Sequence, residues 1–228
     1  MKTSTIPFLF FIKNSLVIVL IFFCCFDAIA HGDLMKRILS LTEEIKVHSD
    51  SAYLYFKRGK LYYQHNDYNE SIEDFKRSKK LGFNSDEQYF LFAINYYKLN
   101  HFITSKRYID KILKDQPDNV KAVKLVGHIN FKRKKFKKAA EAYEKVILIS
   151  KKTFPENYLD GSEAWYALRT ENGSERATTL LIEGIEALGD NIVLYDKLIS
   201  IYIDQGDYST AIKFQKKVID FSPRKERS

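Results

Sequence analysis

Apolar residues recur through most of this chain with the period of a helix rather than a strand. Over residues 52–85, Tyr55, Gly59 and Tyr62 fall on one stripe, spaced by four and then three residues. Ser71, Phe75 and Ser78 form a second stripe of the same kind. Residues three and four apart share a helix face, so the spacing predicts helices over about 52–65 and 69–81. Asn66-Asp67 between them supplies turn chemistry, since short polar side chains bond local backbone groups and tolerate unusual dihedrals.

The stretch repeats when it is slid along the chain by 34 residues. Gly59 then falls on Ala93 and Gly127, Tyr62 on Tyr96, and Tyr68 on Phe102 and Phe136. Ser71 falls on Ser105 and Ala139, and Phe75 on Ile109 and Tyr143. An apparent insertion at 154–157 shifts the frame, after which Ala177, Ala211, Tyr202, Gly206 and Pro223 continue the series. A helix–turn–helix unit of this length, with alternating small and aromatic positions and a terminal proline, resembles the tetratricopeptide repeat. The resemblance implies an all-α fold, a right-handed superhelical array of antiparallel helix pairs (an α-α solenoid). The repeats are expected at 52–85, 86–119, 120–153, 158–191 and 192–225, with residues 226–228 as a tail. In the fourth, 171–174 is expected to be the turn and 175–188 the second helix. Leu34, Ile38, Leu41 and Ile45 predict one further helix within 31–51. It would cap the array, because a terminal unit otherwise leaves an apolar face in water.

Residues 1–30 differ from the rest. Lys2 and Lys13 flank a start that gives way to the apolar run 15–26, and Ala28-Ile29-Ala30 is a small-x-small cleavage pattern. The segment reads as a secretory signal cleaved after Ala30, which would export the protein to a periplasmic or secreted location. The alternative is a retained anchor through residues 15–26. Both cysteines, Cys24 and Cys25, lie in this segment, so the remainder has no disulfide framework and no thiol chemistry.

The formal net charge of +8 favours anionic partners at long range, but the lysines are spread along helices as in any solvated helical surface. The densest basic stretch surrounds Phe136: Lys132, Arg133, Lys134, Lys135, Lys137 and Lys138. It suggests an envelope-associated adaptor that binds anionic lipid or polysaccharide, as an alternative to a protein-binding role. Nucleic acid is not expected as a partner of an exported chain. No phosphate loop, nucleophile turn or metal-ligand helix occurs in the sequence, so neither an enzyme, a cofactor nor a metal site is expected.

What the resemblance implies instead is a concave groove lined by the first helix of each pair, serving a non-catalytic protein-interaction scaffold. The helical spacing selects Phe56, Lys60, Tyr63, Phe90, Ile94, Tyr97, Lys98, Lys124, His128 and Phe131 as its lining. Aromatic rings with interleaved lysines suit a peptide or protein partner that is part aromatic and part acidic. Chaperone-binding members of the family clamp a C-terminal carboxylate with a basic and an amide residue. Phe56 and Leu91 occupy those places here, which argues against that ligand.

Overall fold

A computed structural model describes residues 32–151 and 153–221. The expected leader, its expected cleavage site and the tail at 226–228 lie outside these residues. Among the described residues there are eleven helices and no strand. Helix α1 spans 32–47 and is followed by five pairs: α2 (Ala52–His65) with α3 (Tyr68–Lys80), α4 (Asp86–Lys98) with α5 (Phe102–Asp115), α6 (Val120–Lys132) with α7 (Phe136–Ile149), α8 (Pro155–Tyr166) with α9 (Glu171–Leu188), and α10 (Ile192–Asp204) with α11 (Tyr208–Phe221). The fold is an all-α helical repeat. None of the described helices is long and apolar enough to cross a membrane.

Each pair turns in the same way. Asn66, Asn100, Lys134, Arg169 and Gly206 all have positive φ, between 53° and 77°. Each stands just before the second helix of its pair. In the first pair Asn66 N–H donates to the Tyr63 carbonyl and Asp67 N–H to the Tyr62 carbonyl, which satisfies the orphan carbonyls at the end of α2. Lys134 and Lys135 do the same with Phe131 and Asn130. Asn and Gly enter the left-handed region readily. Lys134 and Arg169 do so against the preference of an L side chain.

The chain divides into two compact units, with the division inside α4 after Asn95. In the first unit, Phe75 is fully buried on α3, with ring centroids 5.8 Å from Phe56 and 5.5 Å from Phe92. A short buried polar chain crosses the same helices. Asn95 Nδ2 donates to Ser71 Oγ at 2.7 Å, and Ser71 Oγ donates to the Gly59 carbonyl at 2.7 Å. Gly59 lets α2 approach α3, since a Cβ there would lie 2.7 Å from the Phe75 ring.

In the second unit each helix from α6 onward packs on its chain neighbour, and α8 also touches α10. Leu180, Leu181, Leu194, Leu198 and Ile201 make one buried cluster, and Ala139, Ala140, Tyr143 and Ala164 another. Glu144 ties three helices together, accepting from Trp165 Nε1 at 2.7 Å and from Arg176 Nε at 2.9 Å.

The fourth pair departs from the sequence expectation. Residues 154–157 are not an insertion ahead of the repeat. Phe154 is the extended N-cap and Pro155 the first helical residue, where its fixed φ suits a helix start and its missing N–H is no loss. Residues 171–174 are not the turn but the first turn of α9. Thr170 Oγ1 caps it by accepting from Gly173 N–H. Gly161 stands 34 residues after Gly127 and likewise fills a close approach, 2.7 Å from Leu180 Cδ2 to its ideal Cβ. The additional length therefore lies in α9, with 18 residues against 14 in α7.

Candidate functional site

In the first unit the predicted lining residues are largely engaged with the fold. Phe56 is only 4% exposed and stacks on Phe83 at 4.5 Å. The expectation that it faces a ligand is corrected: its ring belongs to the aromatic stack beneath α2. Lys60 Nζ donates to Glu87 Oε1 at 2.6 Å and lies 5.5 Å from the Phe56 centroid. Tyr63 is half-buried beside Tyr68, and Phe90 and Ile94 are also half-buried. A hollow of about 500 Å³ opens between α1 and α2, edged by Arg37, Tyr53, Phe56, Lys57 and Lys60.

The second unit brings its predicted residues closer together. Lys98 is exposed, whereas Tyr97, Lys124, His128 and Phe131 are half-buried. Lys124 and His128 share one face of α6 because they are four residues apart. His128 Nδ1 pairs with the Tyr143 hydroxyl at 2.8 Å, and its ring lies 6.3 Å from Tyr97. Phe131 meets Phe136 edge-on at 5.4 Å, so the aromatic of the basic turn is used in packing. Around that turn Lys132, Lys134, Lys135, Lys137 and Lys138 are exposed and Arg133 is half-buried.

Helix α8 supplies what sequence reasoning missed. Asn157, Asp160 and Glu163 recur every three residues and so lie along one face. Lys124 Nζ donates to Asn157 Oδ1 at 2.8 Å and stands 3.6 Å from Asp160 Oδ2. Asp160 and Glu163, with Tyr97, His128, Phe131, Lys132 and Tyr143, line a recess of about 120 Å³. A wider hollow of about 620 Å³ shares Phe131 and Glu163 with it and is bounded further by Tyr166, Arg169, Lys197 and Asp204. The regular spacing on α8 was the available signal, obscured by the misplaced frame shift.

Burial sets the protonation of these groups. It lowers the His128 imidazole, assisted by Lys124 and Lys132 and opposed by Asp160. It raises the Asp160 carboxyl against the pull of His128 and Lys124, and it raises the Tyr97 and Tyr143 phenols. Neutral imidazole and intact phenols make this a surface of hydrogen-bonding groups and ring faces. Because the folded His128 titrates below its unfolded value of about 6.5, the unfolded chain binds more protons in that window. Acidification through about pH 6.5 should then cost stability, while Asp160, shifted upward, acts in the opposite sense above about 3.9. A His128→Gln variant should show a smaller drop in urea midpoint between about pH 7.5 and 5.5. An unchanged drop would remove His128 as its source.

No curated protein matches the sequence. The Fis1 C-terminal tetratricopeptide repeat family matches residues 87–138, and a general tetratricopeptide repeat family matches 52–81, 125–153 and 194–225. No enzyme family is among these matches. Among solved structures, the chain is similar to MamA, residues 41 to end, from Desulfovibrio magneticus RS-1. The two share 20% identity with a TM-score of 0.64, covering 78% of this chain and 98% of that one. YrrB, described as a tetratricopeptide repeat protein with an unusual peptide-binding site, shares 13% identity with a TM-score of 0.60, covering 73% and 84%. A tetratricopeptide repeat protein from Parabacteroides merdae ATCC 43184 shares 17% with a TM-score of 0.58, covering 86% and 75%. At these identities the structural likeness speaks for the fold. The stretches matched in sequence, and the helix pairs they occupy, are tetratricopeptide repeats.

Proposed function

We propose that this protein is a non-catalytic interaction scaffold that holds a peptide or protein segment of a partner on the first-helix face of its second unit. The observation that carries the reading is the pair of hollows that share Phe131 and Glu163, lined between them by aromatic rings, including half-buried Tyr97, Phe131 and Tyr166, and by charged groups. Half-buried rings offer apolar area with little side-chain entropy left to lose, and the flanking charges orient a ligand without having to be desolvated. YrrB, of similar fold, is described as having an unusual peptide-binding site, which supports the reading. Export through the N-terminal leader belongs to the same proposal and would put the partner outside the cytoplasm.

A photo-crosslinking amino acid placed at Tyr166, inside the hollow, and separately at exposed Lys137, on the basic turn, tests this. Crosslinks to a protein partner from Tyr166, and few from Lys137, are the expected result, read by mass spectrometry of the adducts. Protein adducts from Lys137 alone would move binding to the basic turn. Absence of adducts from both sites in a folded chain would end the scaffold reading for this unit.

A further inference from the structure

The recess between α6 and α8 is small and chemically uneven. Its volume is about 120 Å³, room for one side-chain head group. Three aromatic rings, of Tyr97, Phe131 and Tyr143, line it together with the carboxylates of Asp160 and Glu163.

Asp160 is loosely paired: its side chain is 30% exposed, and its ion pair with Lys124 is long, at 3.6 Å. Lys124 makes its short bond to Asn157 Oδ1 instead, at 2.8 Å, which holds the ammonium on the Asn157 side of the carboxylate. Glu163 adds a second, exposed carboxylate. Lys132 also lines the recess and is exposed, so a bound cation would have to displace its flexible ammonium from the carboxylates. An ionised carboxylate amid ring faces attracts a cationic head group twice, through direct charge and through the negative ring quadrupole. Planar guanidinium adds paired donors matched to carboxylate geometry.

We infer that this recess is a subsite for a cationic side chain, an arginine or lysine of the bound segment, seated on Asp160 and Glu163 among Tyr97, Phe131 and Tyr143. The inference rests on the scaffold reading of the same face and reverses the expectation drawn from net charge. The excess of lysine acts at long range on encounter, whereas the recess selects at contact. An otherwise acidic segment with one basic anchor satisfies both.

The test uses the full-length chain and two small probes, N-acetyl-arginine amide and its uncharged isostere N-acetyl-citrulline amide, titrated while amide and side-chain NMR shifts are followed. The arginine probe should give saturable shifts at Tyr97, His128 and Phe131, and citrulline should bind about tenfold more weakly or not at all. Asp160→Asn should abolish that preference. Glu163→Gln, at an exposed position that leaves packing intact, should weaken it. Equal binding of the two probes, no saturable shift in the recess, or a preference that survives both substitutions would each overturn the inference. Any of these alongside intact Tyr166 crosslinking would leave the scaffold reading standing, so the two fail separately.

Discussion

Replacing Tyr143 with alanine should lower the stability of the second unit by about 3–5 kcal/mol, the range for deleting a large buried aromatic. Tyr143 is 3% exposed and lies against Gly127, where an ideal Cβ would be only 2.6 Å from its ring. The cavity left behind would be bounded on one side by Gly127, which has no side chain of its own to relax into it. Tyr143→Phe keeps the ring and removes only the hydroxyl that meets His128 at 2.8 Å, so its expected cost is about 1 kcal/mol. The contrast separates the two roles of the residue. Denaturant midpoints followed through Trp165, the single tryptophan of the sequence and itself in this unit, would measure both. A similar loss for both variants would mean that the hydroxyl, not the ring, holds α6 to α7. The pairing of Gly127 with Tyr143 also predicts coupling. In a Tyr143→Leu background, Gly127→Ala should change from destabilising to favourable by up to about 1 kcal/mol, alanine's advantage over glycine within a helix. The corresponding positions of the second repeat already carry the smaller ring-free set, Ala93 and Ile109.

The same glycine and aromatic positions explain why the repeat could be read from residues alone. A 34-residue period preserves which residue meets which across a helix pair. It also preserves the left-handed turn position, occupied in succession by Asn66, Asn100 and Lys134. The period was lost at α8 and α9 for a local reason. Pro155 and Gly173 are loop residues by composition, but here one opens a helix and the other lets α9 pass close to the Trp165 carbonyl, 2.7 Å from its ideal Cβ. That misreading hid Asp160 and Glu163, because a frame shifted by a few residues turns a helix face away from its neighbours. Lys124 and His128 were legible because they lie on an undisturbed stripe of α6. Phe56 was misassigned for another reason. Helical spacing shows which residues share a face, but Phe83, reached from beyond α3, decides that this ring is buried.

In the first unit, Asp74→Ala should cost about 3 kcal/mol, at the low end of the range for stripping one partner from a buried ion pair. Arg58 Nε and Nη2 each donate to one Asp74 oxygen at 2.8 Å, and Nη1 donates to Thr42 Oγ1 at 3.0 Å, so one guanidinium fastens α1 and α3 to α2. The low end applies because the Arg58 side chain keeps 16% exposure and lies within 6 Å of the Tyr55 and Tyr62 centroids, which would still attract it. The reverse variant behaves differently with pH. The bond to Asp74 raises Arg58, while burial outweighs the guanidinium at Asp74 and raises the carboxyl. Without Arg58 the carboxyl rises further, so the folded state holds a proton that the unfolded state, at about 3.9, has released. Stability of Arg58→Ala should therefore fall as pH rises above about 4 and recover on acidification, as the isolated carboxyl is neutralised. Replacing both partners with apolar residues, Arg58→Met with Asp74→Leu, leaves no buried charge and should recover most of either loss. Urea midpoints of the four proteins at pH 7 and pH 5 would decide it. A double variant as unstable as the worse single one would show that the pair's contribution is the geometry it imposes on α1, α2 and α3, beyond the avoidance of a lone charge.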